Sequence, residues 1–286
     1  MFELFHYQFI QKAIIAGCFI AILCSTLGVF LVLRRLSLIG DGLAHVTFGS
    51  VAVGLLFKGQ PMYTAIPLVM LSSLGILRLT ERARIYGDTA IGIVSSLGIA
   101  VGIILVSISG GYNIDLFSYL FGSILSISNT EVITSIVLSI IVIIVVLLFY
   151  NDLVSITFDE ECAKVSGIRV RRINETLVLL TALTVVLAMK VVGIMLVSAL
   201  LILPSTTALQ AARSFKATMI IAGFVAVFSV ISGIWLSFIA NLPTGGTIVV
   251  INFIIFMLVF GWKAVIAPKT KLPVQGALST KRENHE

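Results

Sequence analysis

Long apolar runs separated by brief polar punctuation recur along the chain. Each is close to the ~20 residues an α-helix needs to cross about 30 Å of hydrocarbon. Set against that length, the runs predict nine helices, over 9–33, 37–57, 61–79, 88–109, 131–150, 173–189, 191–211, 217–240 and 245–265. The junction at Met189 and Lys190 is the tightest; there, one broken helix plus a re-entrant piece is the alternative, leaving eight spans. The expected fold is an all-α polytopic membrane protein with eight or nine transmembrane helices. A single domain would cover residues 1–272, with a polar tail over 273–286.

Two interruptions are too long for turns. "GGYNIDLFSYLFGSILSISNTE", residues 110–131, mixes aromatic with small polar residues, and Tyr112, Phe117, Tyr119 and Phe121 are expected as anchors at the membrane interface. "NDLVSITFDEECAKVSGIRVRR", residues 151–172, is the longest polar interruption in the chain. Phe158, Ala163 and Val165 alternate there with Asp159, Glu160, Glu161 and Lys164, and Gly167 follows as a stop signal. A short amphipathic helix over 157–168 is expected. It reads either as a lever that docks into a soluble partner or as a solvated connector.

Composition narrows the class. Hydrophobic residues make up 59% of the 286 and charged ones 11%, with a mean hydropathy of +1.15, beyond what a soluble surface carries. The location of the basic residues says more than the net +6: the alternating scheme gathers 16 of the 19 on one side, leaving Lys12, Lys58 and Lys190. That bias places the N-terminus outside and the C-terminus in the cytoplasm. Met1 to Gln11 carries Glu3 and no basic cluster, so the first run reads as a retained span rather than a signal peptide. Cys18, Cys24 and Cys162 form no CxxC pattern and are expected to be packing residues. No Walker loop or nucleotide-binding glycine fingerprint is present, so any work done must draw on a gradient or a partner.

Against that background "LIGDGLAHVTFG", residues 38–49, is anomalous. Asp41 and His45 stand four apart, which stacks them on one helical face. A carboxylate in a bilayer costs about 2.5–3.5 kcal/mol on insertion scales, so Asp41 must face protein or water. Asp41 could instead cap the second helix, but that leaves His45 unexplained. Carboxylate oxygen and imidazole nitrogen suit borderline cations such as zinc and manganese. One Asp and one His are too few ligands, yet a two-fold interface between copies would supply four. Gly42, Ala44, Gly49, Ser50, Ala52 and Gly54 along the same helix permit close helix approach. A gradient-driven carrier with Asp41 as the proton site is the alternative; an intramembrane hydrolase would need more ligands than these.

Five stretches, in order, carry a resemblance: "LGVFLVLRRLSLIGDGLAH", "DTAIGIV", "LFSYLFGSIL", "FDEECAKVSGI" and "VVGIMLVSALLILPSTTAL". Over about residues 8–265 the chain resembles the integral membrane permeases of zinc and manganese ABC importers, which implies a type II ABC importer-like fold. The resemblance implies a permease with no catalytic residue of its own and no permanently bound cofactor. The partners it implies are a second copy, a pair of cytoplasmic ATP-binding subunits, an extracellular lipoprotein or periplasmic protein that delivers the metal, and lipid of a bacterial cell membrane, with no nucleic acid. Asp41 and His45 match the family's Asp-xxx-His pair in the translocation path. Phe158, Asp159, Glu160, Glu161, Ala163 and Gly167 match its ATPase-coupling segment. The "LFSYLFGSIL" and "FDEE" stretches look more like the zinc-type permeases than the manganese type, with iron a further alternative.

Overall fold

The computed structural model of the chain describes residues 8–57, 61–83, 85–108 and 129–266. These form eleven helices: α1 (Gln8–Leu33), α2 (Ile39–Leu56), α3 (Pro61–Ala83), α4 (Gly87–Ile108), α5 (Asn129–Leu148), α6 (Tyr150–Phe158), α7 (Glu160–Val165), α8 (Val170–Val192), α9 (Ile194–Ala211), α10 (Phe215–Ala240) and α11 (Thr244–Ile266). There is no strand among the described residues. Hydrocarbon offers no water to backbone N–H and C=O groups, and a helix satisfies them within one segment. Seven helices, α1 to α4, α8, α10 and α11, are long and apolar enough to cross a membrane. α5 and α6 pass the same test together but are bent by 65° at their junction, as a broken span or a re-entrant loop would be, and α9 is a shorter apolar helix. The all-α polytopic fold expected from the hydropathy runs is the one observed.

α1 is the central post, packed by α5, α8, α9 and α10, and its Ile20, Leu23, Leu27, Phe30 and Leu31 are fully buried. α2 packs among α3, α4, α8 and α9. The outer helices carry the exposed apolar side chains, among them Ile103, Ile104, Ile144, Phe224 and Leu258, which would be a liability in water and suit lipid. Several hydroxyls inside spans are satisfied locally: Thr47, Ser50, Thr181 and Thr184 each donate to the carbonyl four residues earlier.

Two crossings depend on absent side chains. Gly49 of α2 lies against the Gly98 carbonyl of α4, and a Cβ on Gly98 would stand 2.7 Å from Val46 Cα. Gly28 of α1 lies against the Leu201 carbonyl of α9, where the Ser205 hydroxyl donates to the Ser25 carbonyl at 3.2 Å.

Two expected boundaries move. The α8–α9 break falls at Gly193, with φ +86°, rather than at Met189 and Lys190. A polar residue does not stop a helix, whereas a left-handed backbone does, and glycine adopts it at little cost. The single helix expected over 157–168 is two pieces: α6 ends at Phe158, Asp159 is extended, α7 follows, and Gly167 at φ +85° closes the segment. Tyr112, Phe117, Tyr119 and Phe121, and the tail over 273–286, lie outside the described residues.

Candidate functional site

α2 starts from a tight turn. The amides of Arg34, Arg35 and Leu36 donate to the carbonyls of Phe30, Val32 and Leu31, and Arg35 takes φ +58°, the left-handed conformation that closes many helices. For a non-glycine residue that conformation costs roughly 1–2 kcal/mol, so the surrounding hydrogen bonds impose it. Leu38 is the N-cap of α2 and no side chain caps the helix. Asp41 is therefore not a capping residue. It sits in the first turn, where the peptide dipoles favour a carboxylate.

His45 lies one turn further on, its Nε2 3.6 Å from Asp41 Oδ2. That separation is too long for a hydrogen bond, so the two groups stand side by side with their lone pairs available. The side chains are 32% exposed for His45 and 51% for Asp41. The pair thus lies on the outer face of the single chain. Ser198 of α9 donates its hydroxyl to Asp41 Oδ1 at 3.4 Å. Sequence reasoning missed this residue, because a serine five residues past Gly193 does not stand out in a helix that also holds Ser205, Thr206 and Thr207.

The opposite face of α2 is apolar. A cavity of about 310 Å³ between α2, α3 and α4 is lined by Val46, Gly49, Val53, Leu68, Val94 and Leu97, with Ser50 and Ser72 among its few polar groups, and neither Asp41 nor His45 reaches it. No cluster of three or more His, Cys, Asp or Glu side chains forms among the described residues.

The second group of expected site residues surrounds α7. Asp159 accepts hydrogen bonds from the amides of Glu161 and Cys162, both at 3.0 Å, and so caps that helix. Ala163 is buried and seats α7 on the bundle, while Phe158 and Val165 flank it exposed. Glu160 meets Arg34 Nη2 at 3.6 Å, and Glu161 meets Lys164 at 2.8 Å. Burial pushes Arg34 below its ordinary value, with the Glu160 charge opposing. Cys24 is buried as expected of a packing residue, but Cys162 is exposed on α7.

Hydrogen bonds from Cys162, its amide first, with that of Glu161, hold the Asp159 carboxyl below its ordinary value. The extra stability that the carboxylate charge gives the cap is then fully present above the ordinary Asp range of about 4 and is lost as pH falls through the lower folded value. Asp159→Ala is expected to speed amide exchange at Glu161 and Cys162 at neutral pH, whereas Asp159→Asn, which keeps an acceptor oxygen, should leave it near wild type. Equal acceleration in both variants would rule out the capping role.

A model of the ABC 3 transport family matches residues 6–263. The chain belongs to that family. The resemblance drawn from the five motifs is thereby borne out, and ABC 3 membership makes the chain a membrane permease subunit, with ATP hydrolysis in a separate subunit. The manganese transport system membrane protein MntC of Listeria monocytogenes is 35% identical over 279 residues, 98% of this chain and 96% of that protein. The high-affinity zinc uptake system membrane protein ZnuB of Haemophilus influenzae is 30% identical over 252 residues, 88% of this chain and 97% of that protein. Among solved structures, PsaBC from Streptococcus pneumoniae in complex with Fab aligns at a TM-score of 0.80 and 30% identity, covering 89% of this chain and 91% of that one. The relatives' names divide between manganese and zinc, so the expected preference for the zinc type finds no support in them.

Proposed function

We propose that the chain is the permease of an ATP-driven importer that moves a divalent first-row ion, manganese or zinc, into the cytoplasm between two copies of itself. The observation that carries this reading is the half-exposed Asp41/His45 pair in the first turns of an apolar helix. Left against lipid, such a carboxylate is expensive; set against the same face of a second copy, it contributes to a ring of two carboxylates and two imidazoles. Oxygen and nitrogen donors of this kind accept either ion, and without a thiolate they hold it loosely enough to release it. Ser198 aims one carboxylate oxygen.

In this reading the N-terminus is outside and the chain lies in a bacterial cell membrane. An extracellular or periplasmic binding protein delivers the ion at the far end of α2. A pair of ATP-binding subunits meets the segment holding Phe158, Asp159, Glu160, Glu161, Ala163 and Gly167, where exposed Phe158 and Val165 offer an apolar grip beside acidic groups. The relative named for manganese exceeds the one named for zinc in identity and in coverage of this chain, so manganese is the first ion to test.

The experiment is uptake of labelled manganese and labelled zinc in cells lacking other importers, with each ion competing against the other. Saturable uptake that needs the ATP-binding subunit is expected, with manganese the better competitor. Zinc outcompeting manganese would reverse the assignment of cargo. Undiminished uptake in vesicles without ATP would replace the ATP-driven reading with a gradient-driven carrier.

A further inference from the structure

Phe30 and Arg34 stand one helical turn apart at the end of α1; Glu160 of α7 meets Arg34, and the rings of α6 are linked to Phe30 through Phe215 of α10. The Arg34 side chain is only 12% exposed, and its Nη2 lies 3.6 Å from Glu160 Oε2. The Phe30 ring packs on Phe215 at 5.2 Å, and Phe215 in turn meets Tyr150 at 6.0 Å and Phe158 at 5.9 Å. Helices on both sides of the Asp159 joint are therefore linked to the end of α1, α6 through the intervening Phe215 of α10 and α7 directly through an ion pair. Glu160 Oε1 also meets Lys164 at 3.4 Å, but Lys164 belongs to α7 itself. Of these two ion pairs, only the one to Arg34 leaves that helix.

The turn between Arg34 and α2 is stiff. Three backbone hydrogen bonds close it, and Arg35 is held in a conformation it would not choose. The Leu36 carbonyl then accepts from the Ile39 amide at the start of α2. A displacement entering at Arg34 is consequently passed on to Asp41 and His45, two and six residues into α2, rather than absorbed.

We propose that the Arg34–Glu160 ion pair is the link by which motion of α7 reaches the Asp41/His45 pair. This rests on the reading of α7 as the element that meets the ATP-binding subunits. Arg34 acts here as a positioning residue: it lies inside the bundle and moves the base of α2. Removing Glu160 leaves the Arg34 charge in a poorly solvated place, and removing Arg34 takes away the contact through which Glu160 reaches α1, so the two residues act as a unit.

The test uses the full complex in vesicles and reads metal transported per ATP hydrolysed, a ratio that a merely structural role would not change in folded protein. Arg34→Gln, which lies inside the bundle away from the partner's surface, is expected to keep ATP hydrolysis and subunit assembly while lowering the ratio roughly tenfold, and Glu160→Gln is expected to lower the ratio equally in the complexes that assemble. The double variant should be no worse than either single one, and the exchanged pair Arg34→Glu with Glu160→Arg should recover part of the loss. Should Arg34→Gln fail to fold, the half-exposed Glu160→Gln still decides. An unchanged ratio in Glu160→Gln, or single losses that multiply in the double variant, overturns the link alone. A wild type that retains no ATP-binding subunit overturns the reading of α7 and this proposal with it.

Discussion

Asp41→Ala is expected to reduce metal uptake by about 100-fold or more while the protein still folds and still holds its ATP-binding partner, and His45→Ala should do the same. The size comes from symmetry: one substitution removes two of four ligands in a dimer, and loss of even an outer-shell partner typically costs 10–100-fold in metal affinity or activity. The selectivity of the effect comes from position. Both side chains lie on an open face and support no buried core, so truncation should change stability by no more than about 0.5 kcal/mol. Asp41→Asn sharpens the test, because it keeps the oxygen that accepts from Ser198 and loses only the charge. It should transport nearly as poorly as the alanine variant. Ser198→Ala should have a smaller effect, since it frees the carboxylate without removing it. The measurement is uptake of labelled manganese and zinc beside co-purification of the ATP-binding subunit. Normal uptake in both alanine variants would remove Asp41 and His45 from the path.

That pair was readable in the sequence because an i, i+4 spacing needs no knowledge of the fold, and an acid beside a histidine is conspicuous among apolar neighbours. The spans were readable for a similar reason: runs near 20 apolar residues have few alternatives. Whatever depends on contact between distant segments escaped. Ser198 stands 157 residues from the aspartate it meets. Glu160 reads as one acid in an acidic loop until the turn after α1 is brought beside it. The 157–168 segment reads from its sequence as one helix, because its apolar residues continue across Asp159. The extended backbone at that residue, with its carboxylate turned back onto two amides, is what divides it. The ion itself was not readable, since carboxylate and imidazole serve manganese and zinc alike.

The seat of α2 makes the second strong prediction. Gly98→Leu is expected to lower the thermal midpoint of the detergent-purified protein by several degrees or to prevent its accumulation, and to lose transport as a consequence. A Cβ at this position would stand 2.7 Å from Val46 Cα and 3.0 Å from Val46 N, and these backbone atoms cannot swing aside. Forcing added side-chain volume into a packed contact costs about 1–3 kcal/mol, and here the crossing helix must be displaced bodily. α2 also bears Asp41 and His45, so any displacement from α4 moves the pair out of register with Ser198. Gly92 and Gly75 serve as controls, because beyond the local backbone of their own helices nothing lies within 4 Å of a Cβ built at either position. Gly92→Ala on the same helix as Gly98 should hold or slightly raise stability, since alanine favours a helix over glycine by roughly 0.5–1 kcal/mol; Gly75→Ala on α3 should behave alike. If Gly98→Leu matched these two in midpoint and in uptake, the close α2–α4 crossing would not be what positions the pair.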